Sequence, residues 1–174
     1  MGCHGVILVA ILSAAVAEVT AEVPADGDPV SLHPIVKPGD TIFLRAYNGN
    51  FLGIRDFHVG AHSSQKALAQ AFRVEKRSLG DVYHGDRIFL TNTNGFRLEV
   101  NGQEVSAKSA HMGPRQEFVI ERFGAASKPI SVGDTIFLRA HTGKHLDVVG
   151  QTVLVRFVRQ GMGYHAFVVE KQPS

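Results

Sequence analysis

Nine histidines are the first chemistry the sequence offers, because imidazole titrates near physiological pH and ligates zinc. Apart from His4 and His33 they are His58, His62, His84, His111, His141, His145 and His165, scattered along the chain. His141 and His145 are four apart with Gly143 between them. That spacing puts two imidazoles on one face only in a helix, so these histidines read as surface residues and no metal site is expected. Glu75, Glu121 and Glu170 each stand directly before a basic residue, Lys76, Arg122 and Lys171. They read as ion pairs at strand ends, not as the two carboxyls of a glycosidase. The sequence holds no P-loop, dinucleotide fingerprint or G-x-S-x-G elbow, and its one cysteine is Cys3. No catalytic residue, cofactor or enzymatic activity is expected.

Binding chemistry is better represented. Three glycine-containing turns carry amide, aromatic and cationic side chains suited to sugar hydroxyls or sulfates. The candidates are Tyr47 and Asn50 in the first, Asn92 and Arg97 in the second, and His141, Lys144 and His145 in the third. Asn48 and Asn94 precede glycine and are accounted for by turn geometry alone. A second candidate surface is aromatic. If Ile42 and Leu44 point inward, strand alternation turns Phe43 outward, and likewise Phe89 and Phe137.

These residues are positioned by an internal repeat. Gly39-Asp40-Thr41-Ile42-Phe43-Leu44, Gly85-Asp86-Arg87-Ile88-Phe89-Leu90 and Gly133-Asp134-Thr135-Ile136-Phe137-Leu138 begin three units, 46 and 48 residues apart. Each continues through a turn (Asn48-Gly49, Asn94-Gly95, Thr142-Gly143) to alternating pairs Leu52 and Ile54, Leu98 and Val100, Leu146 and Val148. A third strand holds Val59 and Ala61, Val105 and Ala107, or Val153 and Val155. The units close on Phe72-Arg73-Val74-Glu75-Lys76, Phe118-Val119-Ile120-Glu121-Arg122 and Phe167-Val168-Val169-Glu170-Lys171, with Phe 33, 33 and 34 residues after the opening glycine. Four strands in each of three units, with no helical period, predict an all-β protein of twelve strands. The expected fold is a β-trefoil over 39–174, with pseudo-symmetric repeats at about 39–76, 85–122 and 133–171.

The Gly-Asp, I-x-L, N-G, L-x-V, V-x-A and F-x-V/I-E-K/R series resembles the fascin-like β-trefoil, most clearly between Ile88 and Arg122, and the likeness covers about residues 39–171. The resemblance implies that fold and, as an alternative function, actin binding or cross-linking. Full-length fascins bundle actin with four trefoils in tandem, whereas this sequence carries one. Sugar-binding trefoils of the ricin type use a Q-x-W tryptophan in each unit, and this sequence has no Trp.

Composition bounds the rest. In 174 residues, 18 Lys and Arg face 16 Asp and Glu, too even a balance for a nucleic-acid-binding arm. All 18 basic residues but only 12 acidic ones lie from Lys37 onward, a net +6 that suits a sulfated polysaccharide. Val6–Ala17 is an uncharged apolar run of 12 residues, too short to span a bilayer, so no membrane span is expected. It reads as a signal peptide within residues 1–21, cleaved after Ala17 or Ala21, with 22–38 a flexible leader. The expectation is a secreted, non-catalytic, lectin-like module for a glycan or sulfated polysaccharide. A cytoplasmic actin-associated protein or an extracellular protein ligand are the alternatives.

Overall fold

The computed structural model describes residues 33–124, 126–157 and 163–171. The expected signal peptide and residues 22–32 of the expected leader lie outside them. Twelve strands are found: β1 (Thr41–Ala46), β2 (Phe51–Arg55), β3 (His58–Ser63), β4 (Phe72–Lys76), β5 (Arg87–Thr91), β6 (Arg97–Asn101), β7 (Glu104–Ser109), β8 (Phe118–Arg122), β9 (Thr135–Ala140), β10 (His145–Val149), β11 (Thr152–Arg156) and β12 (Phe167–Lys171). Short 3-10 turns, Leu68–Gln70 and Pro114–Gln116, precede β4 and β8.

The β-trefoil of three four-stranded units is corrected by the strand pairing. A closed antiparallel barrel of ten strands runs β1-β2-β3-β11-β7-β6-β5-β8-β9-β12 and back to β1. Two strands lie outside this circuit, β4 bridging β1 and β5 and β10 bridging β9 and β11. The physical reason is that repeats do not satisfy their own edges. β1 finds its longest ladder on β12, β4 on β5 and β8 on β9, so hydrogen bonding crosses every repeat boundary and leaves no open edge to aggregate.

Alternation within the strands builds the core. Ile42 and Leu44, Ile88 and Leu90, Ile136 and Leu138 are at most 1% exposed, and Phe72, Phe118 and Phe167 are fully buried in the same cluster. Each such side chain contributes roughly 1.5–3 kcal/mol of burial. The segments ahead of each repeat seal the cluster by a cycle of backbone bonds: Val36 N–H to Ile130 carbonyl, Ile130 N–H to Val82 carbonyl, and Val82 N–H to Val36 carbonyl. Val36 is 1% exposed, so the end of the expected leader belongs to the packed domain.

The Gly-Asp motif is explained by this architecture. Gly39, Gly85 and Gly133 hold φ of +94°, +87° and +89°, a region costly for residues with a Cβ. The following aspartates accept a turn N–H, from Lys37, Tyr83 and Ser131 at 2.7–2.8 Å. Each also pairs with the basic residue closing a repeat: Lys171 to Asp40, Lys76 to Asp86 and Arg122 to Asp134 at 2.5–2.8 Å. The basic neighbours of the three glutamates are therefore spent on turns, and the glutamates find other partners.

Candidate functional site

Those other partners define the site. Glu170 binds Arg45 and Lys66 at 2.6 and 2.7 Å, and Glu121 binds Arg139 at 2.5 Å and His145 Nε2 at 2.8 Å. Burial by itself would raise both carboxyls, but their hydrogen bonds and the neighbouring positive charges outweigh it and hold both below the usual range. Among the described residues Glu75 binds Arg97 alone, through Nη2 at 2.6 Å and Nε at 3.1 Å. Arg45 and Arg139 sit on the opening strands of repeats one and three, and Thr91 holds that place in repeat two. The cation for Glu75 instead comes from β6.

Repeat two carries the shorter threonine where the other repeats carry arginine. On β4, Arg73 pairs with Thr41 on one side and Thr91 on the other. Above this rung, below the β5–β6 turn, lies a cavity of about 530 Å³ whose lining includes Thr41, Arg73, Glu75, Thr91, Asn92 and Arg97. That volume falls within the range of ligand pockets, roughly 300–1,000 Å³. Thr91 is 8% exposed, and its Oγ1 is buried without a hydrogen-bond partner. Arg73 is exposed and, among the described residues, has no acidic partner. A neighbouring cleft of about 420 Å³ shares Asn92 and Thr93 and lies against Phe57 and Phe96, whose rings meet edge-on at 5.8 Å. Asp56 and Phe57 have φ of +48° and +69°, the positive pair that a two-residue hairpin turn between Arg55 and His58 takes.

Of the residues expected from the sequence, Asn92 and Arg97 line this cavity and the others stand elsewhere. Asn92 Oδ1 accepts the N–H groups of Asn94 and Phe96, so it holds the turn in shape. Arg97 also donates to the Ala110 carbonyl. Asn50 is engaged with the Asn48 side chain and the Ala61 carbonyl. Tyr47 is exposed and packs edge-on against Tyr164 at 4.6 Å. His141 is exposed, whereas Lys144 places Nζ 5.1 Å from the centre of the Phe157 ring. His145 is a glutamate partner, not a surface histidine.

The threefold aromatic surface is corrected. Phe43 and Phe89 do leave the main core on the far side of their strands, but they are 2% and 0% exposed. Phe43 is covered by Phe51 and Ala71 with Lys66 above its ring, and Phe89 by Arg77 at 5.4 Å. Phe137 is half-buried and stacks on His165 at 5.0 Å. Burial, and then the charge of His145, hold the His165 imidazole below its usual range against the opposing pull of Asp147.

Thr91, Arg73, Thr41 and Glu75 were missed as site residues. The available signal was the break in the repeat at Thr91, where the other two units have arginine. Among the described residues no group of three His, Cys, Asp or Glu is placed to hold a metal, and no helix is long and apolar enough to cross a membrane.

Fold and site together define a closed all-β barrel with polar cavities under its turns. No family model and no curated protein matches the chain. Solved structures do match. A Caenorhabditis elegans protein of unknown function is 17% identical over 82% of this chain and 99% of its own, with a TM-score of 0.71. The SDF2-like protein of Arabidopsis thaliana is 14% identical over 78% and 94%, with a TM-score of 0.68. The S. cerevisiae protein O-mannosyltransferase Pmt1–Pmt2 complex bound to the sugar donor is 15% identical over 85% of this chain and 27% of its own, with a TM-score of 0.67. At these identities the likeness is one of fold.

Proposed function

We infer that the protein is a non-catalytic carbohydrate-binding module and that the cavity above the Thr41–Arg73–Thr91 rung is its site. The observation that carries this reading is the pairing of a buried, unpartnered Thr91 hydroxyl with an adjacent unpaired Arg73 guanidinium in one cavity. A sugar hydroxyl both donates and accepts, so it can accept from the arginine and, once the Thr91 side chain turns its Oγ1 toward the cavity, satisfy the threonine. Glu75 adds an acceptor, and the exposed Phe57 ring in the adjoining cleft offers an apolar face to a second sugar unit. The structural neighbour in a sugar-donor-bound O-mannosyltransferase complex supports the same class and puts mannosides first among probes.

The test is a glycan array followed by calorimetry with methyl α-mannoside, methyl β-galactoside and a heparin-derived disaccharide. Binding to neutral glycosides that Arg73→Ala weakens is expected. Binding to the sulfated disaccharide alone, abolished by salt, would replace the hydroxyl-recognising site by an anion site. Silence across the array with F-actin co-sedimentation would refute the reading in favour of the fascin-like one. Export is part of the proposal and rests on the Val6–Ala17 run. N-terminal sequencing of protein from the medium is expected to begin at Glu18 or Glu22.

A further inference from the structure

The geometry points to a second cavity for the same class of ligand, one repeat away from the first, and to a third equivalent position that the chain closes with its own ion pair. This rests on the carbohydrate reading above. On β12, Val168 pairs with Thr135 on one side and Arg45 on the other, as Arg73 pairs with Thr41 and Thr91. A cavity of about 370 Å³ lies over this rung, with Arg45, Tyr47, Thr135 and Ala166 in its lining.

The two cavities correspond position by position. Thr41 and Thr135 each follow the Gly-Asp of a repeat, and Ala71 and Ala166 each precede its closing phenylalanine. Both cavities hold a guanidinium, carried by Arg73 on β4 in the first and by Arg45 on β1 in the second. Arg45 gives Nε to Glu170 at 2.6 Å while its side chain stays 46% exposed, so its remaining N–H groups are open to a ligand oxygen. Tyr47 supplies an aromatic wall where the first cavity has Thr93.

The third rung is Arg87, Val119 and Arg139. At the two places where open rungs carry threonine and alanine, it carries Arg87 and Glu117, and these side chains are ion-paired to each other. Threonine and alanine have neither the length nor the charge to meet in this way. Among the described residues, one pair of substitutions thus distinguishes two open positions from an ion-paired one. Two sites of modest affinity give avidity on a multivalent glycan surface.

The experiment is an amide chemical-shift titration of the full chain with methyl α-mannoside and methyl β-galactoside, with a thermal melt of every variant. The expected result is that one glycoside shifts Thr93 and Gly95 and, independently, Tyr47 and Gly49. Thr135→Arg with Ala166→Glu, which transplants the plug, is expected to weaken the second set at least tenfold and leave the first. Arg87→Thr with Glu117→Ala is expected to add a third set at His141 and Gly143. Tyr47→Ala, at an exposed position, serves if the transplanted plug unfolds the domain, and is also expected to weaken only the second set. Shifts confined to Thr93 and Gly95 overturn the second cavity and leave the carbohydrate reading standing. No shift at either cavity, with a silent array, overturns that reading itself. A folded plug-removal variant without the third set refutes the closure.

Discussion

Replacing Thr91 by valine separates stability from binding by giving them opposite signs. The Thr91 hydroxyl is buried with no partner in the wall of the cavity. An unsatisfied buried polar group costs about 1–3 kcal/mol. Valine has the same branched shape and keeps the χ1 preference of a strand residue, so Thr91→Val removes the penalty without opening a void. The ligand-free variant is expected to be at least about 1 kcal/mol more stable, a rise in melting temperature of roughly 3 °C or more for a domain of this size. On the carbohydrate reading the same change deletes a hydrogen bond to the sugar, worth about 0.5–1.5 kcal/mol, or a roughly two- to twelve-fold loss of affinity. Circular-dichroism melts with and without saturating methyl α-mannoside read both effects, since ligand stabilises the folded state by mass action. A variant that melts lower than wild type, or gains the same ligand-induced shift, would show that the hydroxyl is already satisfied and is not waiting for a ligand.

Three other outcomes follow from the same geometry. Arg73→Ala removes an exposed, unpaired side chain, so the melting curve is expected to stay within about 0.5 kcal/mol of wild type, while calorimetry shows glycoside binding weakened about tenfold or more. Leu90→Ala empties a fully buried position on β5, and urea unfolding is expected to report a loss of about 2–5 kcal/mol. Acidification is expected to destabilise in two stages. His165 is held below its usual value, so the unfolded chain takes up that proton first and stability falls as pH drops below about 6.5. Glu121 and Glu170 are also depressed, so their contribution is present above about pH 4.3 and is lost as pH falls through their folded-state values. Urea midpoints at pH 7, 5.5, 4 and 3 check this, and a midpoint that rises from pH 7 to 5.5 contradicts the assignment for His165.

Strand positions were legible because alternation and repetition reinforce each other: Ile42 and Leu44, Ile88 and Leu90, Ile136 and Leu138 each mark a strand three times over. Pairing was not legible, since nothing in Phe72–Lys76 says that its ladder runs to Arg87–Thr91 of the next unit as well as to Thr41–Ala46 of its own. That choice is made by edges seeking partners across repeat boundaries. The aromatic surface failed for a related reason. Alternation correctly turns Phe43 away from Leu44, but whether the far side is solvent depends on Phe51 and Ala71, which arrive from other elements. Of the candidate site residues, those chosen for their polarity in turns were found partly holding the turns, as Asn50 and Asn92 do.

What identifies the cavity is a failure of symmetry, and the failure has a mechanical consequence. The closing glutamates of repeats three and two, Glu170 and Glu121, are each met by an arginine on the adjacent opening strand, Arg45 and Arg139. Repeat two places Thr91 there and Arg97 one turn later, directly opposite Thr91 in the β5–β6 pair. Arg97 reaches Glu75 from β6 and is only 13% exposed, so the ion pair is kept without a guanidinium at the Thr91 position. The chain keeps the charge compensated and leaves a cavity beside an unsatisfied hydroxyl, an arrangement that costs stability in the ligand-free chain and that, on the carbohydrate reading, a bound sugar would offset.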